Sequence, residues 1–399
     1  MSWFEVPDGA PFGTFELPYG VYVRGTERPR VGVAVGDRVL DLAGMWRAGG
    51  DDPTLFEQPS LNAFLAAGRT VWAVTRERLQ AALADASGQS RVEPYLLPSS
   101  EARMLLPFEV ADYVDFYASV HHATNVGRIF RPGGPPLTPN WHHLPIGYHG
   151  RAGTVVVSGT AVPRPCGQVL APGAAAPTFG PSSKLDFEAE LGWVVGVGSA
   201  PGEAVAVQAF ADHVFGAVIV NDWSARDLQA WEYVPLGPFL GKSFATSISA
   251  WVLPLDALID AEVEPPAPEV ERLAYLSPPG RGYDVDVEVE INGQRVSRCP
   301  YAAMTYTPAQ LLAHLSVNGA RLRTGDLFAS GTISGPAPDQ WGSLLELGWN
   351  GTRPLDLGAG TSRAFLADGD EVVLRAVSRG ARPAHLGEVR GCVLPSRLG

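Results

Sequence analysis

Acidic and apolar residues alternate at residues 184–191, in the run Lys-Leu-Asp-Phe-Glu-Ala-Glu-Leu. In a β-strand, Asp186, Glu188 and Glu190 would share one face, because successive side chains point to opposite faces. Residues two apart on one face lie about 7 Å apart at the backbone, so two carboxylates there can bind one cation. The run predicts either a metal-binding strand or an amphipathic strand whose acidic face lies in water.

A second strand of the chain has the same alternation and serves as a comparison. Residues 284–291 alternate four acids with four apolar residues and are followed by an Asn-Gly turn, which predicts a solvated hairpin. After Glu190, by contrast, the chain continues as Leu-Gly-Trp-Val-Val-Gly-Val, which is apolar on both faces. That strand therefore enters a core, where carboxylates need a partner. A cation at Glu188 and Glu190 is the hypothesis that follows, and the solvated strand stays open.

An acid, a planar cation and an amide follow the apolar strand predicted at 214–220. Asp222, Arg226 and Gln229 have the spacing i, i+4, i+7, which is one face of a helix. The pattern predicts either a site at the end of the strand or a surface Asp–Arg pair worth about 0.3 kcal/mol.

Five of the eight histidines lie between residues 121 and 149. Histidine exchanges protons near neutral pH, so we expect this region to supply a base. Zinc is less favoured, since the adjacent His121 and His122 diverge and no cysteine pair accompanies them. Residues 237–243, Gly-Pro-Phe-Leu-Gly-Lys-Ser, have three residues between the glycines where a P-loop needs four, so nucleotide binding is not predicted.

The composition excludes several classes of function. The formal net charge of −12 argues against a nucleic-acid partner and against an anionic membrane surface. No apolar run approaches the ~18 residues of a membrane-spanning helix, and the first residues lack the pattern of a signal peptide. Three scattered cysteines suggest no disulfide framework. We expect a cytoplasmic protein with a small-molecule partner.

Lysine is rare in this chain. Of the 30 basic residues only two, Lys184 and Lys242, are lysines, and the others are arginines. Each lysine either occupies a position that requires a compact ammonium group or is a chance survivor at the surface.

The hydrophobic patterns predict a small α+β domain at residues 1–108 and a large, mainly antiparallel β domain of the roll or barrel kind at residues 109–399. In the first domain we expect strands within 20–42 with a turn at Gly36-Asp37, helix at 60–86 and a linker at 97–108. In the second we expect a helix capped by Thr307 and ending at Gly319, strands at 154–163, 185–198, 214–220, 284–291, 326–334 and 371–377, and loops at 131–139, 163–182 and 262–283.

Taken together, these segments resemble the fumarylacetoacetate hydrolase family. The similarity covers nearly the whole chain and departs from the family pattern at 132–138 and after residue 378. The matching segments are 17–20, 31–42, 112–117, 122–127, 139–141, 144–151, 186–191, 221–229, 240–242, 330–336 and 345–347.

The resemblance implies a β-roll catalytic domain behind a small SH3-like N-terminal domain, in a homodimer. It implies hydrolysis of the carbon–carbon bond of 4-fumarylacetoacetate, a dianionic diketo acid, to fumarate and acetoacetate in the last step of tyrosine catabolism. The alternative is another member of the superfamily, an acylpyruvate hydrolase or decarboxylase with the same metal site. A non-catalytic scaffold stabilised by metal is the alternative from a different class.

The resemblance also implies residue roles. The expected catalytic residues are His122 as the base, Glu346 to orient it, and Arg226, Gln229 and Lys242 to stabilise an enolate. The expected substrate-binding residues are Tyr117, Arg131, Tyr148, Arg226, Gln229 and Thr332. The expected metal site comprises Asp115, Glu188, Glu190 and Asp222, with Lys242 and Thr246 beside them. Four carboxylates form a hard, all-oxygen set that fits Ca²⁺ better than Mg²⁺. No role follows for His121.

Overall fold

The computed structural model describes residues 3–358 and 360–398 of the chain. Across these two ranges the strands form one 13-stranded sheet, one five-stranded sheet and several two-stranded ribbons, with few and mostly short helices. The expected mainly β class with α+β elements is confirmed. None of the helices in these ranges is long and apolar enough to cross a membrane.

The N-terminal part combines short strands with a helical segment. Its elements are β1 (Tyr19–Val23), β2 (Arg30–Val35), β3 (Arg38–Asp41), α1 (Leu42–Ala48), α2 (Asn62–Ala66), α3 (Arg69–Ala84), α4 (Gln89–Val92), β4 (Leu96–Pro98) and β5 (Arg103–Met104). The turn between β2 and β3 is where the sequence predicts it, with Gly36 at a φ of 59° that favours glycine. The linker predicted at 97–108 is wrong in part, because β4 pairs with β3 and β5 pairs with β1.

The remaining elements follow in chain order. They are β6 (Tyr113–Phe116), α5 (Val120–Phe130), β7 (Gly147–His149), β8 (Val155–Val157), β9 (Val162–Pro163), β10 (Cys166–Val169), β11 (Thr178–Pro181), β12 (Leu185–Asp186), β13 (Ala189–Val195), α6 (Phe210–His213), β14 (Val214–Asp222), β15 (Ser224–Ala225), α7 (Arg226–Glu232), β16 (Thr246–Ile248), β17 (Trp251–Pro254), β18 (Glu262–Val263), β19 (Gly282–Tyr283), β20 (Val285–Ile291), β21 (Gln294–Pro300), α8 (Pro308–Ser316), β22 (Leu327–Ala329), α9 (Leu344–Leu347), β23 (Leu355–Asp356), β24 (Ser362–Arg363), β25 (Glu371–Ser378) and β26 (His385–Leu394).

The large sheet joins both parts of the chain. Its strand order is β4-β3-β2-β1-β17-β14-β13-β22-β6-β7, and β16 connects β14 to β8 at one side. The N-terminal strands enter this sheet through an antiparallel pairing of β1 with β17. The domain boundary at residue 108 and the SH3-like form of the first domain stay predictions.

Strands β13 and β14 form the buried centre of the large sheet. Every residue of both strands is buried, as the apolar run after Glu190 indicates. Leu191 and Trp193 pack in the hydrophobic cluster on one face, whereas Val194 packs in the cluster on the other. Each such side chain contributes about 1.5–3 kcal/mol when it is fully removed from water. This centre is therefore a rigid support for any side chain at its ends.

Several predicted elements differ from the structure in their bounds. The strand predicted at 185–198 is interrupted between β12 and β13, and the strand at 154–163 is split into β8 and β9. The loops predicted at 163–182 and 262–283 contain the ribbon β10–β11 and the short strands β18 and β19. Helix α8 has the predicted Thr307 cap, reinforced by Gln310 in a capping box, but ends at Ser316. Strands of two to four residues carry too little alternation to stand out in a sequence rich in glycine and proline.

The comparison strand β20 is less solvated than its pattern predicts. Asp286 is buried at 4 % exposure, because β20 lies between β21 and β25 in the five-stranded sheet. Its carboxylate accepts hydrogen bonds from Arg298 at 2.7 Å and Arg379 at 2.6 Å. Glu288 and Glu290 remain partly exposed and lie beside arginines on neighbouring strands.

Candidate active site

Four buried carboxylates converge at one end of the sheet centre. Glu190 lies on β13, Asp222 ends β14, and Glu188 lies just before β13. Asp115 lies on β6, which reaches the group because β6 pairs with β22 and β22 pairs with β13. One oxygen from each of the four residues lies within 4.8 Å of one oxygen from each of the others. This acidic cluster has the spacing of ligands around a single cation.

Part of the acidic cluster lacks a hydrogen-bond partner among the described residues. Among the described residues, no group donates a hydrogen bond to Asp115 Oδ1 or to either carboxylate oxygen of Glu190, although all three oxygens are buried. Burial, followed by the charge of Asp222, raises the pKa of Asp115 well above its usual value. Burial and the charge of Asp115 do the same to the pKa of Glu190. Because buried carboxylates without partners are costly, the donor set fits a divalent cation that prefers oxygen ligands.

Two cations border the acidic cluster. The Lys242 ammonium, 4 % exposed, donates to Asp222 Oδ2 at 2.8 Å and also to Glu188. Arg226 Nη2 lies 2.7 Å from Glu188 Oε1. Burial alone would raise the pKa of Glu188, but Lys242 and Arg226 hold that pKa well below its usual range. Burial alone would lower the pKa of Lys242, but Asp222 and Glu188 raise it, so the lysine stays charged.

Lys242 and Thr246, the two other residues expected at the metal site, both contact Asp222. Thr246 Oγ1 donates a hydrogen bond to Asp222 Oδ1 at 3.3 Å. A charged ammonium has no lone pair to give to a cation, so Lys242 orients and neutralises the carboxylates around it. Both side chains therefore help to hold Asp222 in place, and whether the Thr246 hydroxyl also binds the cation stays a prediction.

A buried histidine–carboxylate pair faces the acidic cluster. His122, on the first turn of α5, has its Nδ1 2.7 Å from Glu346 Oε2. Glu346 also accepts hydrogen bonds from Asn125 at 2.9 Å, Ser334 at 3.0 Å and Ser343 at 2.9 Å. Burial alone would raise the pKa of Glu346, but the charge of His122 and these donors lower it. Because an ionised Glu346 accepts the proton of Nδ1, Nε2 is the acceptor whenever the imidazole is neutral.

The remaining expected site residues surround one cavity. The cavity has a volume of about 360 Å³, and its wall includes Asp115, Glu188, His122 and Lys242. All six residues expected to bind substrate line it: Tyr117, Arg131, Tyr148, Arg226, Gln229 and Thr332. Their roles stay predictions.

These lining residues differ in how they are held. The Tyr148 hydroxyl donates to Asp222 Oδ2 at 2.8 Å, and Arg226 Nη1 donates to Gln229 Oε1 at 3.2 Å. Thr332 Oγ1 is buried and has no hydrogen-bond partner within the described ranges, so it is free to bind a polar group in the cavity. Arg131 is exposed and donates to the Pro136 carbonyl at 2.7 Å.

The helix-face interpretation of Asp222, Arg226 and Gln229 is wrong. Asp222 ends strand β14, and helix α7 begins only at Arg226. The alternative of a surface Asp–Arg pair is also wrong, since Arg226 is buried and contacts Asp186 and Glu188 instead. Arg226 contacts Gln229 and Glu188, whereas Asp222 is linked to Glu188 through Lys242.

The structure also separates Asp186 from the acidic cluster. The interruption between β12 and β13 turns the Asp186 carboxylate toward the start of α9, where it accepts backbone N–H groups of Leu344 and Leu345. Sequence analysis missed this contact and the Asn125, Ser334 and Ser343 donors around Glu346. The strict alternation of 184–191 offered no sign of the interruption.

The two lysines have different environments. Lys242 is part of the site, whereas Lys184 is half-buried, donates to Asn350 Oδ1 at 3.1 Å and lies 5.5 Å from the Phe365 ring centroid. His121 is half-buried and lines a different cavity, with His142 and Arg272, outside the one that contains His122.

The chain is similar to known proteins over its full length. A family model described as fumarylacetoacetate (FAA) hydrolase C-terminal matches residues 112–394, and one described as fumarylacetoacetase N-terminal matches residues 15–107. Fumarylacetoacetase from Homo sapiens is 44 % identical, with 100 % of both chains covered. Fumarylacetoacetase from Oryza sativa is 45 % identical, covering 99 % of this chain and 97 % of that one.

Solved structures show the same fold at lower identity. A fumarylacetoacetate hydrolase from Exiguobacterium antarcticum is 17 % identical, with a TM-score of 0.57 over 95 % of this chain and 99 % of its own. A maleylpyruvate hydrolase from Sphingobium, solved with manganese (II) ion and pyruvate, is 16 % identical, with a TM-score of 0.53 over 96 % of this chain and 100 % of its own.

Full-length identity at this level to named hydrolases shows that the chain is a hydrolase. It belongs to the fumarylacetoacetase family.

Proposed function

We propose that the protein hydrolyses 4-fumarylacetoacetate to fumarate and acetoacetate, as the last step of tyrosine catabolism. One observation carries the proposal: the buried His122–Glu346 pair and the acidic cluster face each other across one cavity, with His122 Nε2 4.0 Å from Glu188 Oε1. A histidine nitrogen beside carboxylates that would hold a cation supports a hydrolysis in which His122 is the base. The named activity of the full-length relatives supports the choice of substrate.

In this proposal His122 Nε2 takes a proton from water while the water oxygen bonds to the carbonyl carbon of the fumaryl group, which joins that group to the acetoacetate part. Glu346 keeps the imidazole in place and stabilises its charged form. The carbon–carbon bond then breaks, and its electron pair passes to acetoacetate as an enolate. The proton held by His122 can return to the enolate carbon, which restores the base.

In this proposal the positively charged side chains of Lys242 and Arg226 stabilise the negative charge of the leaving group. Lys242 and Arg226 are fixed by carboxylates before substrate arrives, so they stabilise a developing enolate without reorganising. Gln229 accepts a hydrogen bond from Arg226 and is proposed to stabilise the enolate together with it. We assign the substrate's carboxylates and ketone oxygens to Arg131, Tyr117, Tyr148 and Thr332, which line the same cavity.

We propose that Asp115, Glu188, Glu190 and Asp222 hold a divalent cation, with Ca²⁺ favoured over Mg²⁺. Four carboxylates suit Ca²⁺, which takes six to eight oxygen ligands, whereas Mg²⁺ usually keeps several waters. When bound, the cation would supply positive charge that polarises a ketone oxygen and stabilises an enolate.

A homodimer and a cytoplasmic location complete the proposal. Val234, Leu236 and Phe239 are 66 %, 96 % and 65 % exposed, and an exposed apolar group of this kind favours contact with a second copy. All three cysteines, Cys166, Cys299 and Cys392, are free, which suits a reducing compartment.

A comparison of substrates tests the proposed reaction against its alternatives. Purified protein should cleave 4-fumarylacetoacetate with a higher kcat/KM than an acylpyruvate, and it should not accelerate CO₂ release from a β-keto acid above the uncatalysed rate. A preference for the acylpyruvate would favour an acylpyruvate hydrolase, and accelerated CO₂ release would favour a decarboxylase. No turnover of any of them would leave a metal-stabilised scaffold.

Replacing Lys242 by arginine is expected to lower kcat by about 100-fold in a folded protein. The ammonium fits between Asp222 and Glu188 in a buried position, where a larger planar guanidinium cannot keep both contacts. Lys184→Arg is the control, since Lys184 is half-buried outside the cavity, and it should retain most of its activity. Steady-state kinetics with thermal unfolding would check this, and normal turnover in Lys242→Arg would make the lysine a chance survivor.

Stabilisation of the protein by metal is expected to grow as the pH rises. Burial is the chief cause that raises the folded-state pKa values of Asp115, Glu190 and Asp222. The fourth acid of the cluster, Glu188, has a lowered pKa. Without metal, these three acids disfavour the folded state as the pH rises above about 4, where their unfolded forms ionise. A divalent cation takes the place of the protons, so added Ca²⁺ should raise the Tm more at about pH 8 than at about pH 5. An equal rise at both values would contradict the raised pKa values.

A further inference from the structure

Asp186 occupies a fully buried position at the interruption between β12 and β13. Its Oδ1 accepts hydrogen bonds from the backbone N–H groups of Phe187 at 2.8 Å and Leu344 at 2.7 Å. Its Oδ2 accepts from Arg226 Nε at 2.8 Å and from the Leu345 N–H at 3.0 Å. A carboxylate offers about four acceptor positions, so all of them are filled and the group has one fixed orientation.

The partners of Asp186 belong to the two halves of the proposed catalytic apparatus. Leu344 and Leu345 begin helix α9, and the next residue, Glu346, holds His122 at 2.7 Å. Arg226, held through its Nε, uses Nη2 to contact Glu188 at 2.7 Å. The Asp186 carboxylate therefore binds both the start of α9, which carries Glu346 of the His122–Glu346 pair, and Arg226, which contacts Glu188.

A buried Asp–Arg contact can also serve stability alone, and the chain contains an example. Asp286 is 4 % exposed and is held by Arg298 and Arg379 in the five-stranded sheet. None of these three residues lines the cavity that contains His122. Asp186 and Asp286 thus have comparable burial and both bind arginine, although Arg298 and Arg379 are about half exposed and Arg226 is buried. Only Asp186 touches the residues that carry the proposed chemistry.

We propose that Asp186 is a positioning residue that fixes the His122–Glu346 pair and Arg226 relative to each other, a role that rests on the proposed hydrolytic function. An asparagine of the same size would keep only one oxygen, so its amide would face N–H donors. Either the start of α9 or Arg226 would lose its acceptor and move. A misplacement of about 1 Å at a reacting group can cost about 100-fold in rate.

The test compares Asp186→Asn with Asp286→Asn. We expect Asp186→Asn to lower kcat by about 100-fold with less than about a threefold change in KM. Asp286→Asn should also lower the Tm, since it weakens a buried carboxylate's contacts with two arginines, but it should leave kcat within about twofold of wild type. If the two variants lose kcat equally, or if Asp186→Asn loses activity only in proportion to its folded fraction, Asp186 has a structural role alone.

Two further measurements cover the other outcomes. If Asp186→Asn does not fold, the double variant Asp186→Asn/Arg226→Gln leaves no arginine facing the new amide and should fold. The kcat of this double variant should lie below that of Arg226→Gln alone, because the start of α9 has also lost an acceptor for a backbone N–H group. Equal kcat values would contradict the link to α9.

A crystal structure of Asp186→Asn separates this inference from the proposed function. The distance from His122 Nδ1 to Glu346 Oε2, or the contact of Arg226 with Glu188, should be longer than in wild type. Unchanged contacts would overturn the positioning role whatever the substrate is. Failure of the wild type to cleave 4-fumarylacetoacetate would instead overturn the proposed function.

Discussion

Replacing His122 by alanine is expected to lower kcat by about 1,000-fold while KM stays close to that of the wild type. A general base acts mainly in the transition state, so its loss affects turnover more than substrate binding. We propose this role for His122 because Glu346 contacts Nδ1 and Nε2 faces the acidic cluster. Steady-state kinetics on 4-fumarylacetoacetate would measure the effect.

Two variants serve as controls for the base. His121→Ala changes the neighbouring residue of the same helix, which lines a different cavity, and should retain nearly all activity. Glu346→Gln should lose less activity than His122→Ala, because an amide oxygen can still accept the Nδ1 proton but cannot stabilise the imidazolium charge. Activity in His122→Ala equal to that in His121→Ala would exclude His122 as the base.

Truncating Glu188 or Glu190 to alanine is expected to weaken Ca²⁺ binding by about 100-fold or more, and turnover should fall with it. Each change removes one ligand from a set of four. The two variants should differ in metal-free stability. Glu190 has no hydrogen-bond partner among the described residues, so its removal takes away a buried carboxyl group that is costly to bury and should not lower the Tm. Removal of Glu188 leaves Lys242 and Arg226 short of a partner and should lower the Tm.

The look-alike strand β20 provides matched controls for this experiment. Glu288→Ala and Glu290→Ala remove partly exposed acids that lie beside Arg298 and Arg375. Each should cost at most about 0.5 kcal/mol of unfolding free energy and leave metal binding and turnover unchanged. Calorimetric titration of Ca²⁺ and Mg²⁺ into the four stripped variants would measure the affinities. Equal affinities in all four would place the metal site elsewhere.

Local patterns in the sequence indicated one half of the acidic cluster. Alternation followed by an apolar run distinguished Glu188 and Glu190 from the acids of β20, because a strand buried on both faces cannot leave a carboxylate in water. The same rule failed at Asp286, which is buried between two neighbouring strands that a sequence pattern cannot reveal.

The other half of the acidic cluster depends on contacts between distant parts of the chain. Asp115 reaches the cluster through the parallel pairing of β6 with β22, more than 200 residues later. Nothing in the spacing around Asp115 encodes that pairing, and only the family resemblance pointed to this residue. The spacing around Asp222 was misleading, since the interval to Arg226 matches a helix turn while Asp222 ends a strand.

No sequence pattern indicated the residues that hold the proposed catalytic groups in place. Asn125, Ser334 and Ser343 donate to Glu346, and Asp186 anchors α9 and Arg226. Small polar residues of this kind have no distinctive spacing, and their partners lie up to 221 residues away. Their function becomes visible only when the partners are located.

The central claim is that the acidic cluster and the His122–Glu346 pair form one metal-dependent centre for carbon–carbon bond hydrolysis. The most direct measurement is the release of acetoacetate and fumarate from 4-fumarylacetoacetate by wild-type protein, stripped of metal and then supplied with Ca²⁺ or Mg²⁺. We expect little turnover in the stripped protein and, once a cation is restored, release of both products in equal amounts. Full turnover in the stripped protein, or no acetoacetate after a cation is restored, would contradict the claim.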